Sequence, residues 1–321
     1  MKVLKKIDSS NVIGIDIETV RFTDTYEELD EGTQSAWRYK NKQDGIVPSE
    51  EELAEKWQNY ASLYAEFSKI CAVSLAFMHK DELYCKEFYG EDEVSLLENL
   101  YNTLENIFNK SKDLILVGHA SKYFDYPFMS KRYIINGMEI PQILDVSDRK
   151  PWEQSNLDTN DLWRNGGTGL GSSLQALCNV LQIPISKVDL VGDGVGKAFF
   201  DKEYARIGRY CSLDSIATFN IIRKFKRESI FQFDQVKYVA GFEKKEETCP
   251  MKALYDSDYL SDDIKEQIKT TFKKKRATKK DKEFIQDLLE NVYVKTTFMK
   301  SDTPDIIQSK KAEIEEFLKS I

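Results

Sequence analysis

The sequence has no cysteine pair spaced C-x-x-C. Its five cysteines, Cys71, Cys85, Cys178, Cys211 and Cys249, are odd in number and scattered, so they suggest neither a zinc site nor a disulfide framework and fit a reducing setting. No stretch approaches 18 consecutive apolar residues, which excludes a transmembrane helix. The opening MKVLKKIDSS lacks the apolar run of a signal peptide, and the expected location is cytoplasmic. Positive charge is not in excess either. The net charge of −8 argues against a protein that coats phosphate backbones without regard to sequence. It leaves room for an enzyme whose bound metal ions supply positive charge locally. The glycine cluster Gly166-Gly167-Thr168-Gly169-Leu170-Gly171 is followed by no GK[ST] and no strand leads into it, so it is not a phosphate loop. No internal repeat is visible.

What is present reads as a globular chain. Hydrophobic residues make up 41% and aromatics 12% of 321 residues, enough for a sizeable core in one large domain or two smaller ones. The organising stretch is Val12-Ile13-Gly14-Ile15-Asp16-Ile17-Glu18-Thr19-Val20. Alternate residues of a strand share a face, so Asp16 and Glu18 point one way and Ile13, Ile15 and Ile17 the other. So apolar a run predicts a central strand covered on both sides. Two acids there are costly unless something pairs with them, and a hard divalent cation is the natural partner of carboxylate oxygens.

Residues 21–69 differ in character. They hold six Lys/Arg against eleven Asp/Glu, with Trp37, Tyr39, Trp57, Tyr60, Tyr64 and Phe67 interspersed. The spacing from Glu50 to Phe67 predicts a helix with an aromatic stripe. The stripe either packs on the body or belongs to a lid or strand-separating flap over the acids. Strands are expected at 70–77 and 82–89, joined by a tight turn near Lys80-Asp81, and at 114–117, with a further short strand at 143–146. Helices are expected at 92–110, at 126–137 closing on Gly137, from Ser172 or Ser173 to before Pro184, and at 202–227. From 241 to 321 the chain has 17 basic and 17 acidic residues. Helical periods at 278–293 and 304–320 suggest a charged helical extension. Its basic knot, Lys273 to Arg276 with Lys279 and Lys280, reads as a solvated face or as a patch that contacts phosphates.

Three stretches bear on chemistry together. The first is Asp16-Ile17-Glu18-Thr19. The second is Gly118-His119-Ala120-Ser121-Lys122-Tyr123-Phe124-Asp125, where an acid follows a buried strand and opens a helix. The third is Tyr210-Cys211-Ser212-Leu213-Asp214, whose ends lie four apart and so share a helix face. A lone D-x-E is weak. Four acids in this order, each on a fitting element, are not.

These motifs resemble the DEDD, or DnaQ-like, 3′–5′ exonucleases, which have a ribonuclease H-like fold. The Y-x3-D spacing is that of the tyrosine subfamily; the histidine subfamily needs His five before the last acid, where this chain has Arg209. The resemblance runs from about residue 10 to 228. With Ser173-Leu174, Asp193-Gly194 and Arg209-Tyr210-Cys211 it is similar to stand-alone exonucleases related to the proofreading domain of family B DNA polymerases. It implies an α/β fold, a mixed sheet flanked by helices, here with an inserted segment at about 21–69, an exonuclease domain over 1–240 and a helical extension over 241–321.

The resemblance further implies a metal-dependent hydrolase that removes nucleoside monophosphates from the 3′ end of single-stranded DNA by a two-metal mechanism. Magnesium is the expected ion and manganese its substitute. Asp16, Glu18 and Asp214 would hold one ion and Asp16 with Asp125 the other. Tyr210 would orient the attacking water, since a neutral tyrosine is a poor base at neutral pH. The backbone near Thr19 would meet the 3′-hydroxyl, and Phe124 would stack on terminal bases or serve as an ordinary core residue. Ala120 departs from the family's Asn and removes an amide from the substrate side. His119 reads as a satisfied turn residue. RNA as substrate, and a non-catalytic nucleic-acid-binding module on the same fold, are the alternatives. A replication or repair protein is the candidate protein partner, and no membrane is expected.

Overall fold

The computed structural model describes residues 1–148, 156–184 and 194–239, all within one compact unit, Met1–Glu243. The basic knot and the expected extension lie outside the described residues. Strand β1 (Val12–Arg21) pairs antiparallel with β2 (Ser68–His79), and β2 pairs antiparallel with β3 (Glu82–Tyr89). The β2–β3 hairpin closes through Lys80 and Asp81, both at positive φ, the backbone of a two-residue primed turn. Strands β4 (Ile115–Gly118), β5 (Leu157–Asp158) and β6 (Lys237–Val239) add in parallel, giving the order β5-β4-β1-β2-β3-β6. The expected meander is present, and β1 lies inside the sheet.

Both faces of β1 are covered. Ile13, Ile15 and Ile17 pack with Val73 and Leu75 of β2 against Leu97 and Leu100 of α3 (Glu93–Lys110) and Met129 of α4 (Asp125–Ile135). The other face receives α8 (Tyr204–Lys226). Gly14 makes that approach close. A Cβ on it would lie 2.4 Å from the carbonyl oxygen of Ser215 and 3.1 Å from the Cβ of Phe219. Helix α4 stops at Asn136–Gly137, where Gly137 takes φ +68°, the left-handed conformation that ends helices. Among the described residues, no helix is long and apolar enough to cross a membrane.

Two expected elements are corrected. The helix from Glu50 ends at Tyr60, not Phe67: α2 is Glu50–Tyr60, followed by a 3-10 turn, Ala61–Leu63. Side chains capture the backbone there. The Ser62 carbonyl accepts from Thr19 Oγ1 at 2.8 Å and from Ser68 Oγ at 3.3 Å, which ties the segment to the sheet. Residues 143–146 form no strand. Pro141 opens a turn, with Leu144 N and Asp145 N both bonding to its carbonyl oxygen. The place beside β4 goes to β5, introduced by buried Asn156, which bonds to Ile143 O and Leu116 N.

The stretch between β1 and β2 also holds α1 (Glu31–Asn41), which the spacing did not reveal. Together α1 and α2 enclose a small core of Tyr26, Leu29, Trp37, Leu53, Trp57 and Phe67. The rings meet edge to face, Trp37 with Trp57 at 5.3 Å and with Phe67 at 5.0 Å, the arrangement aromatic quadrupoles favour. The aromatic stripe is therefore mostly this stretch's own core. Beyond it, Ser173 caps α6 (Leu174–Leu181) as expected, accepting from Ala176 N.

Candidate active site

Asp16 and Glu18 emerge from the β1 face that α8 covers, and Ile15 and Ile17 beside them are buried. Asp214 arrives from α8. Each of these three carboxylates offers an oxygen, and the three oxygens lie within 4.8 Å of one another. Two buried thiols steady the backbone behind them. Cys211 Sγ donates to Asp16 O at 3.3 Å and Cys71 Sγ to Glu18 O at 3.4 Å. The β1–β2 register shifts between Glu18 and Thr19, a bulge that re-aims the strand just past the second acid.

No cation answers these charges among the ion pairs of the described residues. Burial, then the charges of Asp214, Glu18 and Asp125, pushes the Asp16 carboxyl well above the usual carboxylate range. Burial and the charges of Asp214 and Asp125 do the same to Glu18. Burial raises Asp214 to about 6. Desolvation and like charge both disfavour the ionised acid, so the cluster is poised to exchange protons for a cation. Three oxygen donors at this spacing are the donor set a hard divalent ion takes, and a metal fits them.

Asp125 opens α4 beside this trio. Its oxygens are not among the three that lie within 4.8 Å of one another, yet its charge is felt by both Asp16 and Glu18. It is raised to about 7, by burial first and then by Asp158 and Asp214, while a hydrogen bond from Ser121 Oγ opposes the rise. Tyr210 lies one turn before Asp214, half-buried. Its hydroxyl pKa is raised by burial and by the charges of Asp214, Glu18 and Asp16, so it stays protonated and able to donate.

Thr19 and Phe124 line a cavity next to Glu18. The Thr19 hydroxyl is committed to Ser62, and Thr19 pairs with Ile70 of β2. Phe124 packs on the core, its ring 5.3 Å from that of Phe128, and also lines the cavity. His119 is a satisfied turn residue. Nδ1 meets Thr159 Oγ1 and Nε2 meets Ser172 O, each at 2.8 Å, and burial lowers its pKa. Ala120 sits at φ +62°.

Sequence reasoning passed over two supporting residues. Buried Asp158 accepts from Ala120 N and Lys122 N, each at 3.1 Å, and also caps α5 (Thr159–Arg164) through Asn160 N and Asp161 N. It thereby fixes the turn that delivers Asp125. Its only signal was an acid directly before a helix. Ser121, wholly buried, is the other.

A mixed sheet flanked by helices, with acids from a central strand and a crossing helix converging beside a cleft, is the α/β, ribonuclease H-like architecture of an exonuclease. The chain belongs to the family described as predicted 3′–5′ exonuclease related to the exonuclease domain of PolB, which matches residues 59–262, well over half of its length. It is an enzyme of the 3′–5′ exonuclease class, and nucleic acid is its substrate. The matched span contains Asp125, Tyr210 and Asp214 and begins after β1, so Asp16 and Glu18 come to the site through the fold. The chain matches no curated protein.

Proposed function

We propose that the protein is a metal-dependent 3′–5′ exonuclease that hydrolyses single-stranded DNA from its 3′ end to nucleoside monophosphates. The observation that carries this reading is the trio Asp16, Glu18 and Asp214, with oxygens within 4.8 Å of one another and no cation paired to them among the ion pairs of the described residues. Asp16, Glu18 and Asp214 would hold one divalent ion, and Asp125 with Asp16 a second, magnesium suiting an all-oxygen donor set and manganese its substitute. Such ions supply an activated water and charge stabilisation for the leaving oxygen.

The chain's own groups do the rest. The carboxylates surrender their protons when the cluster is loaded, because a cation reverses the repulsion that holds those protons. Tyr210, kept protonated by burial and then by its acidic neighbours, donates a hydrogen bond that orients a water toward the phosphorus. Ser121 and Asp158 hold Asp125 in place. Thr19 offers backbone groups at the cleft, and Phe124 an aromatic edge to the terminal bases.

A 3′-labelled single strand tests this. Magnesium should support stepwise loss of mononucleotides, a chelator should stop it, and Asp16→Ala should abolish it. Continued degradation by Asp16→Ala would sink the site assignment. Degradation of RNA in preference to DNA in a parallel assay would move the substrate to RNA.

A further inference from the structure

Past Glu18 the cleft widens into a cavity of about 430 Å³, within the roughly 300–1,000 Å³ range of ligand pockets. Its walls come from two sources. Glu18, Thr19 and Phe124 belong to the catalytic body. Gln58, Asn59 and Leu63 belong to the end of the inserted segment. We infer that the inserted segment reads the base of the substrate's 3′-terminal nucleotide, with Leu63 against the base's face and Gln58 and Asn59 at its hydrogen-bonding edge. The inference rests on the exonuclease reading above.

Three observations carry it. The first is continuity: Glu18 belongs both to the acid trio and to the cavity wall, so a phosphodiester at the acids places its terminal nucleoside in or beside the cavity.

The second is the chemistry of the walls. Leu63 leaves half of its surface exposed and Phe124 presents a ring, and flat apolar surfaces of this kind suit a base. Side-chain amides present a donor and an acceptor, the pattern that base edges answer. Gln58 uses its amide N–H on Asp24 O and keeps its carbonyl oxygen. The two cations on the wall are already paired, Arg21 with Asp24 at 2.6 Å and Lys197 with Asp201. The cavity therefore favours a neutral base over a phosphate.

The third is rigidity. Thr19 Oγ1 to Ser62 O at 2.8 Å ties this wall to β1, Trp57 Nε1 to Thr23 O at 3.2 Å ties it to the chain just past β1, and the ring cluster of Trp37, Trp57 and Phe67 packs it from within. A fixed wall loses little entropy when a base enters. The segment is a built side of the site, not a swinging lid.

The test uses the full chain carrying Asp16→Asn, which keeps oligonucleotides intact, with binding read by fluorescence anisotropy. Two single-stranded DNAs differ only in whether the last nucleotide carries a base or is abasic. The abasic end should bind about tenfold more weakly, the scale of one stacked base. Adding Leu63→Ala should shrink that gap to twofold or less, and Leu63→Met should restore it. In the active enzyme, Leu63→Ala should raise KM about tenfold with little change in kcat, and Asn59→Ala should reorder KM among strands ending in A, C, G or T. Tyr39→Ala, on the exposed side of α1 at 80% exposure, should alter neither measurement. Equal binding of basic and abasic ends, or an unchanged gap in Leu63→Ala, overturns the inference. An active wild type with inactive Asp16→Ala leaves the exonuclease reading standing in that event, so the two failures are distinguishable.

Discussion

The protein sets carboxylates among its packed elements in two ways, one fully buried and one partly buried. Glu93, at the start of α3, is almost wholly enclosed and fully answered. Arg132 grips both of its oxygens, Nε to Oε1 at 2.8 Å, and Ile70 N and Asn136 Nδ2 supply further donors. Asp16, Glu18 and Asp214 are drawn together with no cation among the ion pairs of the described residues. Glu93 joins α3 to α4 and the end of β2, and its charge is spent on structure. The trio holds its charge in reserve. Within one fold, then, whether an enclosed or half-enclosed acid has been given a partner separates an architectural role from a chemical one.

The contrast can be broken by single substitutions. Asp214→Asn should lower exonuclease activity about 10³-fold, the loss of roughly 4 kcal/mol of transition-state stabilisation, while the metal-free protein melts no lower than wild type because a repelling charge has gone. Glu93→Ala should do the reverse, destabilising by about 3–5 kcal/mol through an orphaned Arg132, with the surviving folded enzyme still active. Denaturant unfolding and initial rates on the same preparations check both. A fall in stability for Asp214→Asn as large as that for Glu93→Ala would erase the distinction.

A pH series sharpens it further. Asp125 and Asp214 are raised from an ordinary 3.8 to about 7 and about 6, so the folded metal-free protein binds protons that the unfolded chain has released. Their contribution to stability is present below about pH 4 and is lost as pH rises through about 7. Chelated protein should melt lower at pH 8 than at pH 6, and magnesium should recover more at pH 8. A chelated protein that melts higher at pH 8, with Asp214→Asn behaving like wild type, would contradict this. The smallest effect belongs to Asp125, which stands between the two regions because a hydroxyl partly answers it. Ser121→Ala should cost about 1 kcal/mol of stability and slow hydrolysis several-fold without abolishing it, as melting and rate measurements on that variant will read.

Much of this was legible in the sequence because it is written in local patterns. Period-two apolar residues around Asp16 and Glu18 announced β1, and Tyr210 to Asp214 on a long helix announced the second wall. What escaped notice is held by side chains reaching across the chain. Strand β5 spans two residues and exists through Asn156 and its neighbours; no periodicity marks it. Helix α2 stops at Tyr60 because Thr19 and Ser68 claim the Ser62 carbonyl. Asp158 looked like any acid before a helix, and only the fold gives it the Ala120–Lys122 turn. Helix α1 has little apolar patterning of its own, since it buries chiefly Trp37.

The sheet's borders carry a consequence for the protein in concentrated solution. Long bare strand edges recruit other chains into intermolecular ladders. Here the apolar strands β1 and β2 are interior, and the outermost described strands are two and three residues long. Lys237 of β6 is pinned to Glu82 at 2.7 Å, which sets charge on that rim. The sheet thus ends, among the described residues, on short strands, one of them charged, and not on a long apolar one.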